Sequence, residues 1–240
     1  MYWPNLKADV RHYTKTCRAC QFGKKRKLQY GKLPEKFVVT NPWEVLCVDL
    51  IGPYTLKGQD GSALDFMCLT MIDPATSWFE MAELPCVEKP VVSYIENGHK
   101  RQKILTESVI IDKTSKQIAR LVNKLWFSRY PRCQKIIYDN GSEFKLYFQS
   151  LCDSYGIKQK PTTIKNPQAN AILERVHQVI GQMLHTSGLD MAPTADPEAV
   201  SDFLDDASWA ICSTYHTVLK SSPGAVIFGW DMLFDIPYVS

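Results

Sequence analysis

The chain reads as a mixed α/β fold, and three observations predict it. Three strand-like runs, Val45 to Asp49, Leu64 to Asp73 and Ser77 to Leu84, are separated by the turn-forming stretches Gly52-Pro53, Gly58-Gln59-Asp60-Gly61 and Pro74-Ala75-Thr76, the pattern of an antiparallel meander. A helix–strand–helix–strand succession follows, and two long helices close the pattern. At 240 residues, 45% hydrophobic and 22% charged, the chain suits one main domain with a short appendage.

Taken in order, residues 1 to 22 carry Tyr2, Trp3, Leu6, Val10 and Tyr13 at helical spacing, an apolar face too small to bury a core alone. Residues 23 to 42 are basic and contain Gly31, Pro34 and Pro42, which suits an extended linker. The core starts at Trp43. After the meander, residues 85 to 113 mix Pro90, Asn97, Gly98 and basic residues without sustained periodicity, so a surface insertion with a short hairpin is expected there. Ser115 is the expected N-cap of a helix over 116 to 130, whose Ile118, Leu121, Val122, Leu125 and Trp126 form one stripe and which Pro131 ends. A strand at 134 to 138, a helix at 142 to 155 closed by Gly156, a strand at 157 to 159, and helices at 167 to 186 and 197 to 220 complete the reading.

Net charge is only +3, so distribution matters more than the sum. Basic residues cluster in Lys24-Lys25-Arg26-Lys27 and His99-Lys100-Arg101-Gln102-Lys103, while 196 to 206 is acidic. The first cluster reads as a phosphate-contacting linker, a nuclear-targeting signal or a merely solvated segment. Eight cysteines lack regular spacing, and five lie among apolar neighbours, as reduced core residues of an intracellular protein do. No run approaches the ~18 to 20 apolar residues of a membrane span, and Met1-Tyr2-Trp3-Pro4 lacks a signal-peptide core.

Three acids carry the chemistry: Asp49 at the end of one apolar run, Asp139 at the end of another, and Glu174 on an amphipathic helix. Carboxylates at two strand ends and one helix can converge on one sheet edge, where hard oxygen ligands favour Mg²⁺ or Mn²⁺. Helical arithmetic puts Ile172, Val176, Val179 and Met183 toward the core and Glu174 away from it, flanked by Asn170, His177 and Gln178. Asp73, before Pro74, reads as a turn former rather than a fourth ligand. His177 and His216 read as ordinary hydrogen-bonding residues. Trp209, Tyr215, Phe228 and Trp230 read as core or helix-packing surface.

The combination of Trp3-Pro4, Cys17-x-x-Cys20-Gln21, the strand from Trp43 to Pro53, Asp139-Asn140-Gly141-Ser142-Glu143-Phe144 and Asn166 to Arg175 resembles the integrase of gypsy-type long-terminal-repeat retrotransposons, within the retroviral integrase superfamily. The resemblance implies a ribonuclease-H-like fold, a mixed five-stranded sheet flanked by helices, with a partial zinc module at 1 to 22, a basic linker at 23 to 42, a catalytic core at 43 to 226 and, at 227 to 240, the start of a segment leading to a further C-terminal domain. It implies Asp49, Asp139 and Glu174 as catalytic residues and ligands of two Mg²⁺ or Mn²⁺ ions, 3′-end processing and strand transfer of element DNA into target DNA, a homodimer or higher multimer, no membrane, and action in the nucleus. Ser142 resembles a target-DNA contact, with an N-cap role as the alternative, and Lys165, Asn166 and Asn170 resemble contacts to the element's DNA end. The linker residues Lys24, Lys25, Arg26 and Lys27 join them as DNA-binding candidates.

Two departures accompany the resemblance. From Asp49 to Asp139 there are 90 positions, more than in retroviral cores, and the surplus falls in the insertion; from Asp139 to Glu174 there are 35, close to the retroviral spacing. Cys17 and Cys20 supply two of the four ligands a structural zinc needs, and the two upstream histidines of the family are absent, so Zn²⁺ is expected only where these are restored. A chain taken from a longer polyprotein, or a truncated one, is expected. A cut-and-paste transposase of the same fold, or a domesticated or decaying copy that binds DNA or chromatin without catalysis, are the rival readings.

Overall fold

Strand β1 (Val45–Lys57) runs through the middle of the sheet and organises the rest. Val45 to Val48 are all buried, because strand and helix layers cover both faces there, which is why this segment is a continuous apolar run rather than an alternating one. The computed structural model describes residues 3–18, 41–88, 92–96, 99–103, 109–162, 171–189 and 192–233.

β2 (Ala63–Ile72) pairs antiparallel with β1, and β3 (Phe79–Glu83) antiparallel with β2, as the meander predicts. The β1–β2 register shifts between Ile51 and Tyr54, where Gly52 takes a φ of 107° and its Cα lies so close to the neighbouring strand that an added Cβ would be 3.1 Å from the Phe66 carbonyl oxygen. Only glycine fits that conformation and approach.

The insertion contains β4 (Cys86–Glu88) paired antiparallel with β7 (Val109–Ile111), and between them the expected hairpin, β5 (Val92–Glu96) with β6 (His99–Lys103). β6 is the second basic cluster.

Helix α2 (Ser115–Val122) continues into a π-helical turn, Asn123–Phe127, and buries Ile118, Val122 and Trp126. Its cap is Thr114, whose hydroxyl accepts from the Gln117 N–H, and not Ser115. Ser115 instead donates to the Lys145 carbonyl and accepts from the Phe148 N–H at 3.1 Å, stitching α2 to the next helix. β8 (Lys135–Tyr138) then pairs parallel with β1, and β9 (Lys158–Pro161) parallel with β8, giving a five-stranded mixed sheet of order β3-β2-β1-β8-β9.

Between β8 and β9 the expected single helix is broken. A 3₁₀ turn (Ser142–Phe144) precedes α3 (Tyr147–Ser154), and Leu146 at the junction has a φ of 48°, outside any helix. The rings of Tyr138, Phe144 and Phe148 meet at 5.1–5.5 Å and pin this segment to the strand. Gly156, with a φ of 68°, closes α3 as expected.

α4 (Ala171–Ser187) packs on β1 and β2, and α5 (Pro197–Ser213) on β3. α5 ends at Ser213, short of the expected residue 220, and a separate α6 (Pro223–Phe228) follows, capped by Ser222 accepting from the Ala225 N–H. Thr214 turns extended after Ser213 and ends α5, and Pro223 at the first position of α6 suits a helix start. Near the start, α1 (Leu6–Thr16) leaves Trp3, Leu6, Val10 and Tyr13 exposed. Cys20, the linker and Lys24 to Lys27 lie outside the described residues. Cys47, Cys68, Cys133, Cys152 and Cys212 are free and buried, as the composition predicts.

Among the described residues, no helix is long and apolar enough to cross a membrane.

Candidate active site

The parallel register of β1 and β8 places two of the three acids. Cys47 stands opposite Ile137, and two residues further along each strand are Asp49 and Asp139, so both carboxylates leave the same edge of neighbouring strands. Asp49 is half-buried and its Oδ1 accepts the Leu50 N–H at 2.9 Å. Asp139 begins the loop after β8, where its Oδ1 accepts the Gly141 N–H at 3.0 Å, an Asx turn that reverses the chain into the 3₁₀ segment.

Glu174 is exposed in the first turn of α4. The face of this helix differs from the arithmetic by one position. Leu173, Ile180 and Leu184 are buried, whereas Ile172 and Val179 are 41% and 42% exposed; Val176 and Met183 are partly buried. His177 consequently lies on the inner side, with Nε2 2.8 Å from the Thr70 hydroxyl. Thr70, in β2, is the cross-strand partner of Asp49 and donates to the Asp49 carbonyl at 3.0 Å.

Electrostatics tie the acids together. Burial pushes the Asp49 carboxyl up to about 6; the Leu50 N–H opposes this, and the charges of Asp139, Glu174 and Glu143 add to it. The charges acting most strongly on Asp49 are thus all negative. Carboxylate oxygens of this kind, grouped around a position of negative potential, suit a hard divalent cation by donor type and charge. Among the described residues, no three His, Cys, Asp or Glu side chains are closed around a point that could hold an ion, so the acids form an open set. The broad groove of about 1330 Å³ lined by Met67, Glu83, Cys86, Asp112 and Arg120 includes none of them.

The remaining candidates sort as follows. Ser142 is exposed at the start of the 3₁₀ turn, where Gly141 and not Ser142 is the cap, and its hydroxyl donates to Glu143 Oε2 at 3.4 Å. Lys165, Asn166 and Asn170 lie outside the described residues. Asp73 is fully buried and accepts from Trp43 N–H, Ala75 N–H and the Thr76 hydroxyl, a structural turn as expected. His216 accepts the Leu219 N–H through Nδ1. Trp209, Tyr215, Phe228 and Trp230 are exposed, which leaves packing surface rather than core of their two readings, and Phe228 meets Trp78 edge-on at 5.3 Å. Two participants carried no sequence signal of their own: Glu143, inside a motif already singled out for Asp139, and Thr70, which nothing but strand pairing brings to Asp49.

A mixed five-stranded sheet of this order, flanked by helices, is the ribonuclease-H-like fold of retroviral integrase catalytic cores. Two solved structures share it. A chain of the simian T-cell lymphotropic virus intasome matches with a TM-score of 0.56 at 16% identity, over 97% of this chain and 70% of its own. The HTLV-2 integrase catalytic core domain, solved with magnesium in a trimeric form, matches with a TM-score of 0.50 at 16% identity, over 77% and 96%. The integrase zinc binding domain family matches residues 1–26. Among curated proteins, Gypsy retrotransposon integrase-like protein 1 of Bos taurus is 24% identical over 66% of this chain, and that of Rattus norvegicus 26% identical over 60%. The chain spans 26% and 21% of those relatives' lengths. Together these findings support a gypsy/retroviral-type integrase.

Proposed function

We propose that this chain carries the catalytic core of a retrotransposon integrase, a metal-dependent polynucleotidyl transferase and endonuclease that processes the 3′ ends of element DNA and joins them to target DNA. The observation that carries the proposal is that Asp49 on β1 and Asp139 just past the end of β8 follow neighbouring parallel strands, with the charges of Asp139 and Glu174 acting on Asp49. Asp49 would be the ligand common to two Mg²⁺ or Mn²⁺ ions, with Asp139 holding one and Glu174 the other. Bound there, such ions supply activation of the attacking oxygen and neutralisation of the leaving oxygen.

The course follows from the proposed activity. None of the three acids is needed as a nucleophile: a water oxygen attacks phosphorus in line and the 3′-oxygen leaves, and the freed 3′-hydroxyl then attacks a target phosphodiester in the same manner. Their position on an open edge, rather than in a cavity, suits a polymer substrate. Ser142, Lys165, Asn166 and Asn170 would contact DNA, and Lys24 to Lys27 would meet its phosphates. The exposed Trp209, Tyr215, Phe228 and Trp230 support a homodimer or larger assembly, in keeping with the intasome and trimeric core among the structural neighbours. Action on chromosomal DNA would require the protein to reach the nucleus. Zinc at Cys17 and Cys20 would need two further ligands.

A non-catalytic, DNA-binding descendant is the second reading, favoured by the open arrangement of the acids and by relatives named integrase-like. A disintegration assay separates them. With Mn²⁺, the wild type is expected to resolve a branched DNA that mimics the joined product, and Glu174→Gln, folded and DNA-bound, is expected not to. Equal resolution by both would remove the proposed role of Glu174; no resolution by a folded, DNA-binding wild type would favour the second reading.

A further inference from the structure

His177 stands three residues after Glu174, one helical turn along, yet points inward to β2. Thr70 is fully buried and has one hydroxyl proton, which it directs to the Asp49 carbonyl. The imidazole Nε2 must therefore be the donor to the Thr70 oxygen, and Nε2–H is the tautomer present. Burial pushes the imidazole down to about 4, so this donor is uncharged at neutral pH. The chain of bonds runs from the helix that bears Glu174, through one buried hydroxyl, to the backbone of Asp49 itself. Apolar packing of α4 is supplied separately by Leu173, Ile180 and Leu184.

We propose that His177 is a positioning residue, which fixes the height and rotation of Glu174 over Asp49 by tying α4 to the β1–β2 pair through the Thr70 hydroxyl. The proposal rests on the function proposed above for its catalytic consequence, and on the geometry alone for the tie. A histidine that merely filled the core would be replaceable by phenylalanine; a positioning one is not, because only a donor at Nε2 completes the bond.

The full chain tests this with four single variants and one double variant. His177→Phe and Thr70→Val are expected to lower kcat in the disintegration assay about 10- to 100-fold with KM for DNA unchanged, and to weaken Mn²⁺ binding, read by electron paramagnetic resonance without turnover, by about tenfold or more. His177→Gln, whose amide nitrogen can take the place of Nε2, and Thr70→Ser are expected to restore most of both. The Phe/Val double variant should lose no more than either single one, since both cut one link. Wild-type kcat and Mn²⁺ binding in folded His177→Phe, or losses that multiply in the double variant, would overturn the proposal. Should the wild type itself prove inactive and bind no Mn²⁺, the functional reading fails, and crystal structures of wild type and His177→Phe still decide the tie: α4 displaced against β1 supports it, α4 in place overturns it.

Discussion

Two of the acids are carried by strands and one by a helix, and the difference separates what the backbone fixes from what packing fixes. Asp49 and Asp139 sit on β1 and just beyond β8, locked in parallel register, and each takes an N–H from a residue one or two positions on. Thr70 of β2 adds a bond to the Asp49 carbonyl. Glu174 rides on α4, where Leu173, Ile180 and Leu184 set the depth of the helix and His177 makes a polar bond to the sheet. Backbone pairing thus sets the strand-borne acids, and helix packing sets the third.

The largest expected effect would ignore this difference, because the reaction needs all three groups. Asp49→Asn, Asp139→Asn and Glu174→Gln should each lower single-turnover resolution of branched DNA by about 1,000-fold or more, equivalent to roughly 4 kcal/mol of barrier. One variant that kept its activity would break the symmetry of the three roles.

Stability should expose the difference. Leu173→Ala should cost about 2–5 kcal/mol in urea melts, whereas Ile172→Ala, one residue away on the solvent side, should cost under about 0.5 kcal/mol. Equal costs would erase the helix face assigned to α4.

The strand side has its own signature in pH. The folded state holds the Asp49 proton more tightly than the unfolded chain does, since the carboxyl is raised from 3.8 to about 6. Stability from this group is therefore present below about pH 4 and lost as pH rises through about 6. Without divalent ions, Asp49→Asn should be more stable than wild type at pH 7.5 by about 2 kcal/mol, with the gain gone by pH 4. His177 works in the opposite sense: lowered from 6.5 to about 4, it costs stability as pH falls through that window, and His177→Phe should flatten this acid limb in thermal melts. A wild-type-like pH profile in Asp49→Asn would contradict the crowding of charge at that position.

The smallest effect belongs to Ser142. Its hydroxyl makes a long, 3.4 Å contact to the neighbouring glutamate on an exposed turn, so Ser142→Ala should change stability by under about 0.5 kcal/mol. A raised KM for target DNA in that variant would sharpen its assignment as a contact.

How much of this was legible in the sequence follows the same division. Apolar runs ended by an acid announce strand-borne ligands, and parallel pairing does the rest, so the sheet and the pair Asp49 and Asp139 could be read directly. The helix was harder. Ile172 and Leu173, Val179 and Ile180, Met183 and Leu184 are adjacent apolar pairs, so two stripes offset by one residue fit the same spacing, and only contact with the sheet decides between them. Thr114 and Ser115 offer the same ambiguity as caps. The break at Leu146 rests on a positive φ that leucine does not advertise, and the end of α5 at Ser213 rests on an extended Thr214 that no proline or glycine marks. Thr70 and Glu143 gained their importance from partners across the sheet or the loop, which no local pattern reveals.

The most direct test of the central claim is a crystal structure of the chain with branched DNA and Mn²⁺, read by anomalous scattering. The account predicts two peaks about 4 Å apart, with Asp49 touching both, Asp139 one and Glu174 the other. Peaks elsewhere, or none between these carboxylates in a protein that still resolves the DNA, would contradict it.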